Sequence, residues 1–361
     1  MSGSIAISRV ICILGIVYVH AWTGLYGWQL ESLNHSSQGF LRWGLIDLLG
    51  RSSVPLLSVI SGWLVGPSFA RRGLRMFYTG KARAIVLPMV AWNALAIVFV
   101  SGAAALHLIE APLPTTVLWT LNELLCLLKP SDINVQMPFL RDLFLCMLAV
   151  PLLSRLPDRG LIGISAVVAA WSISTVSIPL LLRPSILMFF IIGLLIRRHD
   201  LAERIARAPV VVAAGAYLVM AAAELWLEMA GAGTFMSRPA PSAALDLMMR
   251  AATANMFWAL AWRLAGSRFA PALLRIEPYM FLLFCAHLIM IWLGGPLIGR
   301  LTGPMGSPLY PVLLLAQPLI VLGASVILGK VLLGVSPAAA RLLSGGRLHR
   351  ERQPRLREQA A

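Results

Sequence analysis

Long apolar runs separated by short polar links recur along this chain, and their length sets the fold class. A helix needs about 20 mainly apolar residues to cross a bilayer. Runs of that kind fall at residues 5–25, 46–66, 84–106, 138–156, 161–178, 210–229, 244–264, 278–297 and 309–333, with a shorter one at 185–196. The pattern predicts an all-α fold, a polytopic integral membrane helical bundle of about ten transmembrane helices. The stretch 115–128 is apolar but broken by Asn122 and Glu123. It is too short to cross and is expected to be interfacial or re-entrant. No internal repeat stands out.

Arginines set the orientation. The link after the second run carries Arg71, Arg72, Arg75, Lys81 and Arg83, and the link after the fourth carries Arg155 and Arg159. After the sixth run come Arg197, Arg198, Arg204 and Arg207; after the eighth, Arg268 and Arg275; from Arg341 onward the chain is basic again. The odd-numbered links hold scattered charges such as Arg42, Lys129, Arg183, Arg238 and Arg300. Basic loops stay on the cytoplasmic side, so both termini are expected in the cytoplasm and the number of spans to be even. Residues 1–335 then make one transmembrane domain. Residues 336–361 make a basic cytoplasmic tail with little apolar content, expected to be disordered or to lie on anionic lipid. No small-residue cleavage pattern follows His20 before Trp22 and Tyr26, so the first span is expected to stay in the mature protein.

Composition sharpens this picture. Charged residues make up 12% of the 361, half the share of about 25% that solvates a soluble domain. The formal charge of +15 would suggest nucleic acid in a soluble protein. Here the basic residues sit in the links, as membrane topology requires, and no nucleic-acid partner is expected. Cys12, Cys126, Cys146 and Cys285 lie in apolar stretches without metal-type spacing. They are expected to be buried thiols, with no disulfide framework and no metal site.

Candidate chemistry begins in the first span. Arg9 and His20 are eleven positions apart, almost three helical turns, so they share a face and lie roughly 16 Å apart along the axis. An ionisable side chain inside a span is costly and by default functional. A histidine can act as a general base near neutral pH. The plainer alternative is a histidine bonded within the bundle, with Arg9 snorkelling to the interface.

Arg9, ten intervening residues and His20 resemble the first-helix motif of the acyltransferase 3 family of membrane acyltransferases. Other segments are similar to that family in order: Ser61, Gly62 and Trp63 in the second span; Phe139, Leu140, Arg141 and Asp142, with Pro138 where the family has Trp; Phe189, Phe190 and Gly193; and Tyr279 with His287 in a late helix. The opening looks closest to bacterial exopolysaccharide acetyltransferases of the xanthan type. The resemblance implies transfer of an acetyl group from acetyl-coenzyme A, a co-substrate, to a carbohydrate hydroxyl, with His20 catalytic. The acceptor would be an exopolysaccharide or its lipid-linked precursor, in the bacterial inner membrane and in association with polysaccharide assembly machinery. A cytosolic polyanion such as coenzyme A would favour Arg9 and the basic link Arg71, Arg72 and Arg75. The oxyanion formed in transfer needs donors, which Arg141, Ser61 or Asn93 could supply.

The remaining polar residues leave choices open. Ser61, Arg141, Asp142 and His287 are candidate substrate contacts, while a structural ion pair for Arg141 and Asp142 and an interhelical hydrogen bond for His287 are the alternatives. Glu224 and Glu228 read as a solvated interfacial face, or as binders of sugar hydroxyls. Arg51 could meet an anionic lipid carrier or anchor its helix. Trp22, Trp28, Trp43 and Trp63 fit an interfacial belt. Asn255 and Gln317 read as glue between helices. Two rival functions remain: a transporter or flippase of a glycan or lipid intermediate, and a non-catalytic membrane scaffold. Transporters often show internal repeats and paired broken helices, and neither is visible here.

Overall fold

The computed structural model describes residues 1–51, 53–71, 73–174, 176–229 and 240–348. The described residues form an all-helical protein with no named strand. The helices that matter for the site are α1 (Ser2–Val19), α2 (Ser53–Ala70), α3 (Leu74–Ala105), α4 (Val117–Leu125), α5 (Pro138–Leu148), α6 (Asp158–Ser174), α7 (Ser185–Arg198), α8 (Val210–Met229), α9 (Ala240–Ala265), α10 (Met280–Thr302), α11 (Tyr310–Val335) and α12 (Pro337–Leu343). Each apolar run of the sequence carries a helix. Among the described residues, five helical stretches are long and apolar enough to cross a membrane: Ser2–Val19, Ser37–Ala70, Leu74–Ala105, Ala270–Thr302 and Tyr310–Val335. A sixth, Leu201–Arg207 with Val210–Trp226, is bent by 83°. Helices α5, α6 and α7 are shorter than a full crossing, at 11, 17 and 14 residues.

Among the described residues, three stretches wind as π-helix, at Gly44–Gly50, Ala82–Val86 and Ile97–Ser101. Such turns shift the faces of a helix and are frequent near functional sites.

Glycines set how closely the central helices approach. A Cβ on Gly62 of α2 would strike the Phe190 carbonyl of α7, and one on Gly193 would strike the Val59 carbonyl of α2. Gly15 of α1 faces Ser53, where an added Cβ would stand 2.7 Å from its Oγ. The core around these crossings is apolar and includes Val10, Ile16, Leu56, Ile60 and Phe190. An apolar cavity of about 190 Å³, lined in part by Ile5, Ile60, Trp63, Phe189 and Trp258, takes no residue of the site described below.

Chain direction follows from two contacts at opposite ends of α10. Arg9 bonds Glu277 just before α10 begins, whereas Trp22 fills the space beside Gly295 and Gly299 near its end. Helices α1 and α10 therefore run the same way. Helix α11 returns: Tyr310 packs in a cluster with Ala21, and Gly329 approaches the Tyr279 ring. The segment after α11 packs back on the bundle. Pro337–Leu343 is helical, Trp92 Nε1 donates to the Leu343 carbonyl at 2.9 Å, and Arg347 lies 3.8 Å from the centre of the Phe281 ring. A basic tail, disordered or lying on anionic lipid, was expected from residue 336; its residues 349–361 lie outside the described residues.

Candidate active site

Helix α1 stops sooner than the apolar run does. The His20 N–H bonds the Val17 carbonyl at 3.2 Å, a tightened last turn, and the Trp22 N–H is taken by Gln317 Oε1 of α11 at 3.2 Å. Gly24 then sits at φ +65°, a left-handed conformation that a glycine tolerates. His20 thus caps α1 rather than standing inside it, a half-buried residue where irregular chain begins.

His287 lies opposite on the fully buried part of α10. The two ring centres are 5.4 Å apart and the planes are inclined by 37°. His287 is fully buried, and its Nδ1 is 2.8 Å from the Phe284 carbonyl and 3.2 Å from that of Leu283. A carbonyl only accepts, so Nδ1 carries the proton and Nε2 of the neutral ring holds a lone pair. That Nε2 is buried without a hydrogen-bond partner. Phe284, whose ring lies 6.2 Å from His287, packs edge-on against Phe139 at the start of α5.

The charges of Arg183 and Arg51 reach His20. Arg183 precedes α7; its Nη2 donates to the Val135 carbonyl at 3.2 Å, and its backbone N–H donates to Asp142 Oδ2 at 2.8 Å. Arg51 pairs with Asp47 at 2.8 Å and anchors the start of α2. Asp142, fully buried, also accepts from Arg141 Nη1 at 2.7 Å and from the Leu182 N–H at 3.3 Å. Arg141 donates further to the carbonyls of Pro179 and Leu127. The pair therefore ties α5 to the segment before α7. Arg183 was passed over in the sequence as a scattered link charge, although its isolation inside an apolar stretch marks it.

A buried polar loop closes this side of the site. Glu123 of α4 accepts from the Ser131 hydroxyl and from the N–H groups of Asp132 and Ile133. Asn122 accepts from Leu128 and Lys129. Asn134 donates to Asn93 Oδ1 at 3.0 Å, and Asn93 Nδ2 donates to the Leu124 carbonyl at 3.1 Å. Ser61 donates back to Leu57 in its own helix at 2.7 Å. Each of the three oxyanion donors suggested by the sequence thus already bonds protein in this state. Helix α4 exposes Val117, Leu118 and Leu121 while burying Asn122 and Glu123, as a short interfacial helix does.

Midway along α1, about three turns before His20, Arg9 Nη1 pairs with Glu277 Oε1 at 2.9 Å. Arg347 stands close enough for its charge to reach both. Burial first, and the Arg9 charge second, holds the Arg347 guanidinium down to about 10. Arg71 is exposed and donates to the Pro67 carbonyl, and Arg75 is exposed on the following helix. Arg72 lies outside the described residues. Glu224 departs from its expected solvated face: it is buried within α8. The Glu228 side chain is outside the described residues. All four cysteines are free and buried, as expected.

These features define a helical membrane protein with a histidine pair at the C-terminal end of α1 and a cationic cluster around Arg9, midway along the same helix. The chain belongs to the acyltransferase 3 family, whose model, described as an acyltransferase domain, matches residues 3–333. It is an acyltransferase. It is 28% identical over 376 aligned positions, 96% of this chain and 93% of the relative, to the "Succinoglycan biosynthesis protein ExoH" of Rhizobium meliloti (strain 1021). No solved structure matches it.

Proposed function

We propose that this protein transfers an acetyl group from acetyl-coenzyme A to a sugar hydroxyl of a bacterial exopolysaccharide or its lipid-linked precursor. The observation that carries the reading is half-buried His20, its ring beside His287 at the end of the helix that carries Arg9. The relative named for succinoglycan biosynthesis supports a polysaccharide acceptor. Donor phosphates would bind at the Arg9 and Arg347 end, with Arg71, Arg72 and Arg75 adding charge. The acyl arm would extend roughly 16 Å along α1 to bring its thioester to His20. His20 takes the proton of the sugar hydroxyl as the oxygen attacks the thioester carbonyl. The carbon–sulfur bond breaks, and the departing thiolate takes the proton from His20. Positive charge from Arg183 and Arg51 favours the oxyanion that forms between these steps.

The topology we propose keeps about ten crossings of the inner membrane with both termini in the cytoplasm. Parallel α1 and α10, with α11 antiparallel to both, support an even number. The test is acetyl transfer by the purified protein in nanodiscs, with labelled acetyl-coenzyme A and the oligosaccharide repeat of the producing strain. Label on sugar oxygen is the expected result. An unlabelled acceptor, with exported glycan equally acetylated in cells lacking the protein, would overturn the reading.

A further inference from the structure

His287 presents an acceptor that its own surroundings do not use. Its Nδ1–H is spent on Phe284 and Leu283, which fixes the tautomer, and its Nε2 is buried and unpartnered. A buried acceptor left without a donor costs stability. Of the two rings packed against His287, Phe284 has no N–H or O–H to give, and His20 has one. The rings rest 5.4 Å apart between centres, and a histidine's χ2 turns easily within its broad well.

We propose that His287 is a positioning residue for His20. Its Nε2 lone pair accepts the ring N–H of His20 during transfer, leaving the other His20 nitrogen bare toward the sugar hydroxyl. When that nitrogen takes the hydroxyl proton, the bond becomes charge-assisted and steadies the imidazolium. His287 neither gains nor loses a proton: the proton moves from hydroxyl to His20 and on to the departing thiolate. His287 is fully buried, whereas His20 is half-buried where irregular chain begins. Arg183 and Arg51 are the other charges that reach His20.

The proposal rests on His20 acting as base, and the experiment separates the two. Acyl transfer is measured for the parent, His20→Gln, His287→Leu and His287→Gln in nanodiscs, as kcat and KM for donor and acceptor across pH. Leu removes the acceptor. Gln restores one, with an amide that can still donate to Phe284. The expected result for His287→Leu is a kcat lower by about ten- to a hundred-fold, the span of a hydrogen bond to a charged group. Its KM values should stay near those of the parent. The acidic limb of its profile should move to lower pH, because protonated His20 has lost support. His287→Gln should recover most of kcat. Parent-like kcat in His287→Leu, an effect confined to KM, or a Gln variant as slow as Leu overturns the positioning role while leaving His20 as base. An active His20→Gln overturns the base itself. Should His287→Leu not accumulate as folded protein, ¹⁵N-histidine labelling of the parent decides. An Nδ1–H signal at His287 with a hydrogen-bonded Nε2 supports the proposal, and an Nε2–H signal overturns it.

Discussion

Gly62 lies directly against the main chain of Phe190, leaving no room for a Cβ. Gly193, one turn further along α7, meets Val59 in the same way. Two segments that look like separate family signatures are thus the two halves of one helix crossing. Gly62→Ala must push backbone against backbone, with no flexible side chain to give way. We expect a loss of about 1–3 kcal/mol, the usual cost of overpacking. Thermal unfolding in detergent should show a lower midpoint, and Gly193→Ala should add less than its own full effect on top. A Gly62→Ala protein that melts with the parent would mean the helices are further apart.

His20 is the residue on which activity should depend most. A general base contributes about a hundred- to ten-thousand-fold. His20→Ala and His20→Gln should both lose transfer on that scale while accumulating normally in the membrane. Gln keeps bulk and hydrogen bonding but cannot take the proton. Activity of the Gln variant within a few-fold of the parent would favour a packing role.

Arg9 and Glu277 form a half-exposed pair, so its own contribution to stability is small, about 1 kcal/mol or less. Function is where the change should show. Arg9→Lys keeps charge but loses the planar fork that suits phosphate. The KM for acetyl-coenzyme A should rise several-fold with the melting midpoint almost unchanged. Unchanged donor affinity would remove Arg9 from the donor site.

Glu123 is buried and accepts from one hydroxyl and two backbone N–H groups. Glu123→Ala would orphan all three donors, at a cost of about 3 kcal/mol or more. Reduced yield of folded protein and faster proteolysis of residues 126–137 are expected. Wild-type protease resistance would show that the loop holds itself.

Topology can be read with reporters. A fusion after Arg83 should report the cytoplasm, and one near Arg238, outside the described residues, the external side. A cytoplasmic signal at Arg238 would break the alternation on which ten crossings rest.

Helix positions were legible in the sequence because each depends on a local run of apolar residues. Arg9 and His20 were legible because their spacing is local too. What decides the site's geometry is not local. Gln317 takes the Trp22 N–H and ends α1 before His20, Glu277 reaches Arg9 from 268 positions away, and Asp142 gathers Arg141, Leu182 and Arg183. No periodicity encodes such meetings. Glu224 misled for a related reason: its place near a helix end suggested water, and only neighbouring helices reveal that it is covered.

Trp22 occupies the notch beside Gly295 and Gly299, and the Met305 N–H bonds the Thr23 carbonyl at 2.8 Å. The strand of chain that leaves His20 is therefore clamped to α10, the helix that also carries His287. Both histidines ride on one beam. Thinning or thickening of the surrounding lipid can tilt the outer helices without altering the gap between the two rings. Turnover in vesicles of graded acyl-chain length should accordingly stay level over a range that shifts the tilt of the peripheral spans.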